Sequence, residues 1–129
     1  MGGKTNKRKG SDAERLYAKI FQNLGFSQCI TARQGSRISD EAGIDLINLP
    51  FNVQIKAGHQ RGMCPSKELR KIDELVPVYF PKNAPEHDKI NIVIHRKHVG
   101  RGKKRTPYDD VVHMSFEDFE RLIKQISWD

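Results

Sequence analysis

The chain has no apolar run near the ~20 residues that a membrane-spanning helix needs, and no signal-peptide core near its start. Its two cysteines, Cys29 and Cys64, lack Cys-x-x-Cys spacing. They read as free thiols of a reduced, cytoplasmic-type protein (host cytoplasm if the chain is viral), with a structural disulfide the lesser reading. Its five histidines have no zinc-like spacing with the cysteines. A Gly-rich phosphate loop and a nucleophile elbow are both missing. No candidate helix pairs a basic face with an aromatic one, so a membrane surface is the lesser partner. There are no internal repeats and no sign of a second domain.

What the chain has is positive charge. Lysine and arginine number 23 against 16 acids, a net charge of +7 in 129 residues. That length suits one domain with one core, and the charge suits a polyanionic partner, nucleic acid first. Two segments concentrate the charge. Met1–Gly10 holds Lys4, Lys7, Arg8 and Lys9 with no acid. It reads as a basic flexible arm ahead of a domain over 11–129, either solvated or laid along DNA phosphates. Arg96–Arg105 holds Arg96, Lys97, Arg101, Lys103, Lys104 and Arg105 with two glycines. It reads as a cationic loop suited to phosphate.

Between these, the pattern predicts alternating elements. Ser11-Asp12-Ala13-Glu14 has capping-box form and opens a helix with Ala13, Leu16, Tyr17, Ile20 and Leu24 as its buried stripe, ended by Gly25. A strand over Phe26–Arg33 and a polar loop over Gln34–Ala42 follow. Ser66–Val76 reads as a helix stopped by Pro77, with a short strand at Val78–Phe80. Ile90–His95 alternates as a strand, and Val111–Met114 is another. Ser115 caps a last helix, with Asp118 at the third helical position and Phe116, Phe119, Leu122, Ile123 and Ile126 as its buried face. The resulting α-β-β-β-α-(β)-β-β-α order predicts an α/β fold, a mixed central sheet flanked by helices.

The chain is organised around Gly43–Lys56. Ile44–Ile47 and Val53–Ala57 read as two strands joined by the turn residues Asn48–Asn52. Strand alternation puts Gln54 and Lys56 on one face and Val53 and Ile55 on the other. A four-residue loop, Asn48–Phe51, pairs Ile47 with Asn52 and Asp45 with Gln54, so Asp45 joins the polar face. An acid, an amide and an ammonium on an otherwise apolar hairpin need a reason to be there. Phosphodiester hydrolysis supplies one. A hard divalent cation, Mg²⁺ or Mn²⁺, takes oxygen ligands. The Asp45 carboxylate, the Gln54 amide oxygen and the Ile55 main-chain carbonyl provide them, with Lys56 beside them to orient water or stabilise phosphate charge. His59, just past Lys56, is a minor candidate. For Glu14 alone, capping and catalysis stand level.

Asp45 followed by Gln54-Ile55-Lys56 resembles the active-site signature of the PD-(D/E)xK nuclease superfamily, in a Gln-x-Lys form. Lys9-Gly10-Ser11…Glu14-Arg15, then Leu24-Gly25-Phe26 and Arg33, is similar to the start of archaeal-type Holliday junction resolvases. Gly43–Lys56 is equally similar to Mrr-type restriction endonucleases, which also use Gln in that slot. The likeness covers the first half of the chain. It implies a restriction-endonuclease-like αβββαβ core and Glu14 as a further acid, so that Glu14, Asp45, Gln54 and Lys56 are the catalytic set and Glu14, Asp45, Gln54 and Ile55 the metal ligands. It also implies Arg15 and Arg33 as DNA contacts and sets Ser36 and Arg37 in a flexible substrate-facing loop. Lys9, Arg101, Lys103, Lys104 and Arg105 join the DNA-binding candidates through their charge. The resemblance departs at Gln54, where resolvases usually carry Glu, and at Ile44, where they carry Pro; the neutral Gln54 removes one negative charge from the site. The expected activity is a Mg²⁺-dependent endodeoxyribonuclease on branched DNA, four-way junctions above all, working as a homodimer in recombination, repair or viral genome processing. An Mrr-like nuclease on duplex and a non-catalytic DNA-binding protein are the alternatives.

Overall fold

The computed structural model describes residues 2–58 and 63–127, with main chain alone over 2–9. It is α/β: a five-stranded mixed sheet flanked by helices. Helix α1 (Gly2–Asn23) is followed by β1 (Ile30–Thr31), the short helices α2 (Ala32–Gly35) and α3 (Arg37–Glu41), then β2 (Leu46–Ile47) and β3 (Phe51–Gly58). Helix α4 (Pro65–Tyr79) crosses over to β4 (Ile90–Lys97), and β5 (Asp110–His113) and α5 (Phe116–Gln125) complete the chain. Spatial order follows chain order. β1, β2 and β3 are antiparallel neighbours, β4 is parallel to β3, and β5 returns antiparallel to β4. The parallel step is the one that needs a long connection, and α4 supplies it.

Strand alternation divides the core into two layers. On one face Val53, Ile55, Ile92 and Ile94 pack against Ala13, Tyr17 and Ala18 of α1. On the other, Val93 packs against Ile72 and Val76 of α4 and against Ile44. The predicted hairpin register holds: Leu46 pairs with Val53, the alignment that continues to Asp45 opposite Gln54. Ser115 caps α5 as expected, accepting the Asp118 N–H at 3.0 Å. Cys29 and Cys64 are free thiols.

Several expectations are corrected. Helix α1 runs through Ser11 rather than starting there, because no proline interrupts the preceding residues and a lone Gly10 costs a helix only about 1 kcal/mol. The main chain of the predicted arm is therefore helical; the side chains of Lys4, Lys7, Arg8 and Lys9 lie outside the described residues, as does His59. The buried stripe of α1 is also turned by about one position. Glu14, Tyr17 and Ala18 face the sheet, while Leu16, Ile20 and Leu24 are exposed. The strand predicted over Phe26–Arg33 shrinks to two residues, and the loop that follows it folds into α2 and α3. Gly35 allows this: a β-carbon there would stand 2.5 Å from Ile30 Cδ1 and 2.7 Å from Ile47 Cδ1. Helix α4 passes through Pro77 and ends two residues later, so no strand forms at Val78–Phe80. Proline in the last turn removes one hydrogen bond near an end that was about to fray. The apolar face of α5 is not buried: Phe116 is 73% exposed, and Phe119 and Ile126 are exposed as well. Leu122 of that stripe packs against the core.

Candidate active site

The site begins where β2 and β3 part. Asp45 lies one residue before β2, and three hydrogen bonds fix it. Its carbonyl accepts the Ala32 N–H at 2.8 Å and its N–H donates to the Val53 carbonyl at 2.7 Å. Its carboxylate Oδ2 accepts the Ile55 N–H at 2.7 Å. The side chain thus takes a place in the ladder that a main-chain carbonyl would otherwise fill. Because a strand residue presents its N–H and carbonyl to the same neighbour, the Ile55 carbonyl also faces the Asp45 side.

Glu14 arrives from α1. It is 5% exposed, among the most buried charged side chains of the described residues. Its turn of the helix faces the sheet because Ala13, Tyr17 and Ala18 bring that face down onto β3 and β4. The Glu14 and Asp45 carboxyl groups act on each other's charge. Arg33, from α2, places its Nε 3.1 Å from Glu14 Oε2. Burial pushes the Glu14 carboxyl up, Arg33 pulls it down, and Asp40 of α3 adds to the rise. Asp45 is pushed up to about 7, first by burial; the Ile55 N–H opposes this, the Glu14 carboxylate adds to it, and Lys56 opposes it. Both carboxyls are thus pushed the same way, as expected of neighbouring carboxylates with too little compensating charge.

Gln54 and Lys56 occupy the opposite face of β3 from the α1 core. Gln54 Oε1 is buried without a hydrogen-bond partner. Its Nε2 lies against Gly43, whose φ of +82° favours glycine, and a β-carbon at Gly43 would sit 3.6 Å from that nitrogen. The Lys56 ammonium attracts the Asp45 carboxylate, but its ion pair is with Glu68 of α4, at 3.6 Å from Oε2. The fold therefore gathers Glu14, Asp45 and Arg33 closely, sets Lys56 within their field, and leaves Gln54 on the adjoining row. Among the described residues no three His, Cys, Asp or Glu side chains group to hold a metal ion. The donors that lie together are instead two carboxylates and the Ile55 main-chain carbonyl, while the orphaned Gln54 amide oxygen lies on the other face of β3. Two acids that repel each other beside a free carbonyl fit a hard cation.

The predicted DNA contacts fare differently. Arg15 is paired with Asp12, and Arg37 with Glu41 at 3.2 Å. Arg33 is engaged by Glu14 and stands at the acid cluster, with its side chain half exposed. Ser36 is the single residue that links α2 to α3, and its hydroxyl caps α3 by accepting the Ser39 N–H at 3.1 Å. Arg105 is tied into the fold. It holds Asp110 at 3.0 Å and the Lys97 carbonyl at 2.8 Å, closing the base of the cationic loop. The same Asp110 takes Arg96 at 2.9 Å and the Tyr17 hydroxyl. These donors hold its carboxyl down to about 2 against the cost of burial. Arg101, Lys103 and Lys104 at the loop's tip are exposed.

Sequence reasoning missed Glu68, Asp40 and Asp110. For Glu68 a signal exists: Glu68, Ile72 and Val76 recur four apart, which places an acid on the buried stripe of α4. The chain matches no protein-family model, no curated protein and no solved structure.

Proposed function

We propose that this protein is a metal-dependent endodeoxyribonuclease with a restriction-endonuclease-like core, acting on branched DNA and foremost on four-way junctions. The observation that carries the reading is the buried Glu14 beside the partly buried Asp45, delivered by different elements to one place, with a lysine in their field, in a chain of net charge +7. Proteins do not bury two adjacent acids for stability, since each loses hydration and repels the other. The element order supports the fold part of the proposal: α1, antiparallel β1-β2-β3, crossover α4, then β4 parallel to β3.

Asp45, Glu14 and the Ile55 carbonyl would hold the cation, with Gln54 standing apart from them across β3. When bound, a divalent ion supplies phosphate charge neutralisation and a water of lowered pKa. The chain's own groups do the rest. The Ile55 N–H orients the Asp45 carboxylate. Arg33 keeps Glu14 turned toward it. Lys56 stands within reach of the Asp45 field, placed to orient the attacking water or to stabilise charge on the phosphate. Arg101, Lys103 and Lys104 supply sequence-independent attraction for the DNA backbone.

Cutting two strands of a junction symmetrically calls for a two-fold pair. The α5 face is where we place a second copy. Phe116, Phe119 and Ile126 are exposed along it, with Glu117 and Glu120 toward one end and Lys124 toward the other. Antiparallel packing of α5 on its twin sets the acids of each copy near Lys124 of the other, a self-complementary arrangement.

Incubating four-way, linear and modified duplex DNA side by side with Mg²⁺ or Mn²⁺ tests the proposal. Paired, metal-dependent nicks near the branch point are expected. Cutting confined to modified linear duplex would replace the junction assignment with an Mrr-like one. Tight binding without cutting in either metal would overturn the enzyme reading.

A further inference from the structure

We infer that Glu68 is a positioning residue for Lys56, supplying from α4 the negative charge that Gln54 does not carry on β3. The inference rests on the nuclease reading for its functional meaning but on geometry for its substance. Glu68 lies in the first turn of α4, a helix opened by Pro65. It is 9% exposed, and its Oε2 is buried with no hydrogen-bond partner. Two ammonium groups converge on it: Lys56 Nζ at 3.6 Å from Oε2, and Lys71 Nζ at 3.7 Å from Oε1.

A carboxylate on the buried stripe of a helix is expensive to keep unless its charge is used. Ile72 and Val76, one and two turns along the same stripe, are apolar and pack on Val93. An apolar residue at position 68 would extend that packing. A surface salt bridge does not account for the acid, because Glu68 is buried while Lys71, its own-helix partner, is half exposed. The partner that matters is therefore the one across the layer, Lys56. Its four-carbon stem has many rotamers, and in water it would sample them freely. Held by Glu68, the ammonium stays against the sheet face next to the Asp45 field instead of extending into solvent. Glu68 touches no reacting group; it acts through Lys56.

The test has one arm that needs no DNA. In the wild-type chain, NMR signals of the Lys56 side chain are followed while the Glu68 carboxyl is titrated. Lys56 shifts that track the Glu68 transition are expected. Lys56 signals indifferent to it would overturn the inference, whatever the protein does to DNA. The second arm uses Glu68→Gln, which keeps volume and loses charge. A ten- to hundredfold fall in single-turnover cutting with little change in junction affinity is expected, the range seen when an orienting partner is removed. Lys56→Ala combined with Glu68→Gln should cut no more slowly than Lys56→Ala alone, because both act through one ammonium. Additive losses would overturn the role. Wild-type protein that cuts nothing would sink the nuclease reading and leave the NMR arm to decide the Lys56–Glu68 coupling.

Discussion

Replacing Asp45 by Asn should give a protein that is more stable at alkaline pH and inactive. The Asp45 carboxyl moves from 3.8 in the unfolded chain to about 7 when folded. The folded protein thus keeps a proton that the unfolded chain has already released, so stability falls as pH rises from about 4 and levels off above about 7. A displacement of roughly three pH units corresponds to roughly 4 kcal/mol at most. Part of that cost is shared with Glu14, which leaves about 2–3 kcal/mol for Asp45→Asn to recover. Asparagine retains an acceptor oxygen for the Ile55 N–H, so the ladder contact at 2.7 Å survives. Urea unfolding of both proteins in metal-free buffer from pH 4.5 to 8.5 measures the effect. The gap should be small at the acid end, at most about 1 kcal/mol, and widen to about 2–3 kcal/mol at pH 8, with the variant above. A variant equally or less stable at pH 8, or a difference that does not change with pH, would refute the crowded-acid picture.

Asp45→Ala should abolish cutting and Lys56→Ala should slow it by about 10²–10³-fold to a residual rate that can still be measured, while gel-shift affinity for junctions stays within a fewfold; either variant cutting at the wild-type rate would discredit the site. Gly35→Ala drives a methyl into Ile30 and Ile47. A loss of about 1 kcal/mol is expected by thermal melting, because the obstructing atoms are side-chain ends that yield partly. Asp110→Ala removes the acceptor shared by Tyr17, Arg96 and Arg105. It should make the loop over 98–106 the first site of limited proteolysis while the sheet persists. Phe116→Lys combined with Phe119→Lys should turn a dimer into a monomer by light scattering with folding intact; a wild type that is already monomeric would remove the α5 pairing and leave the acid site untouched.

The parts of the fold visible in the sequence are those set by local period. Alternation over Val53–Lys56 and Ile90–Ile94 and an even-length connection sufficed to place Leu46 against Val53. Ser115 declared its cap through a short-range bond that needs no tertiary partner. The misses share a different origin. That Arg33 meets Glu14, 19 residues away, is decided by how α2 docks. The orientation of α1 was misjudged because Leu16 and Ile20 outrank Glu14 in hydrophobicity, yet the helix turns Glu14 inward. Burial of an acid at the expense of leucine is a conflict between propensity and position, which is where functional groups tend to sit. The open face of α5 was read as core because periodicity tells which side is apolar, not what covers it.

Asp45 also gives the molecule a built-in reporter. The amide proton of Ile55 points at a carboxylate instead of a carbonyl, so its resonance will respond to whatever that carboxylate carries: a proton, a cation or nothing. Prising the ribbon open at this fork and disarming the acid amount to a single movement. Slow solvent exchange at that one amide would therefore measure how often the centre is intact, without any substrate in the tube.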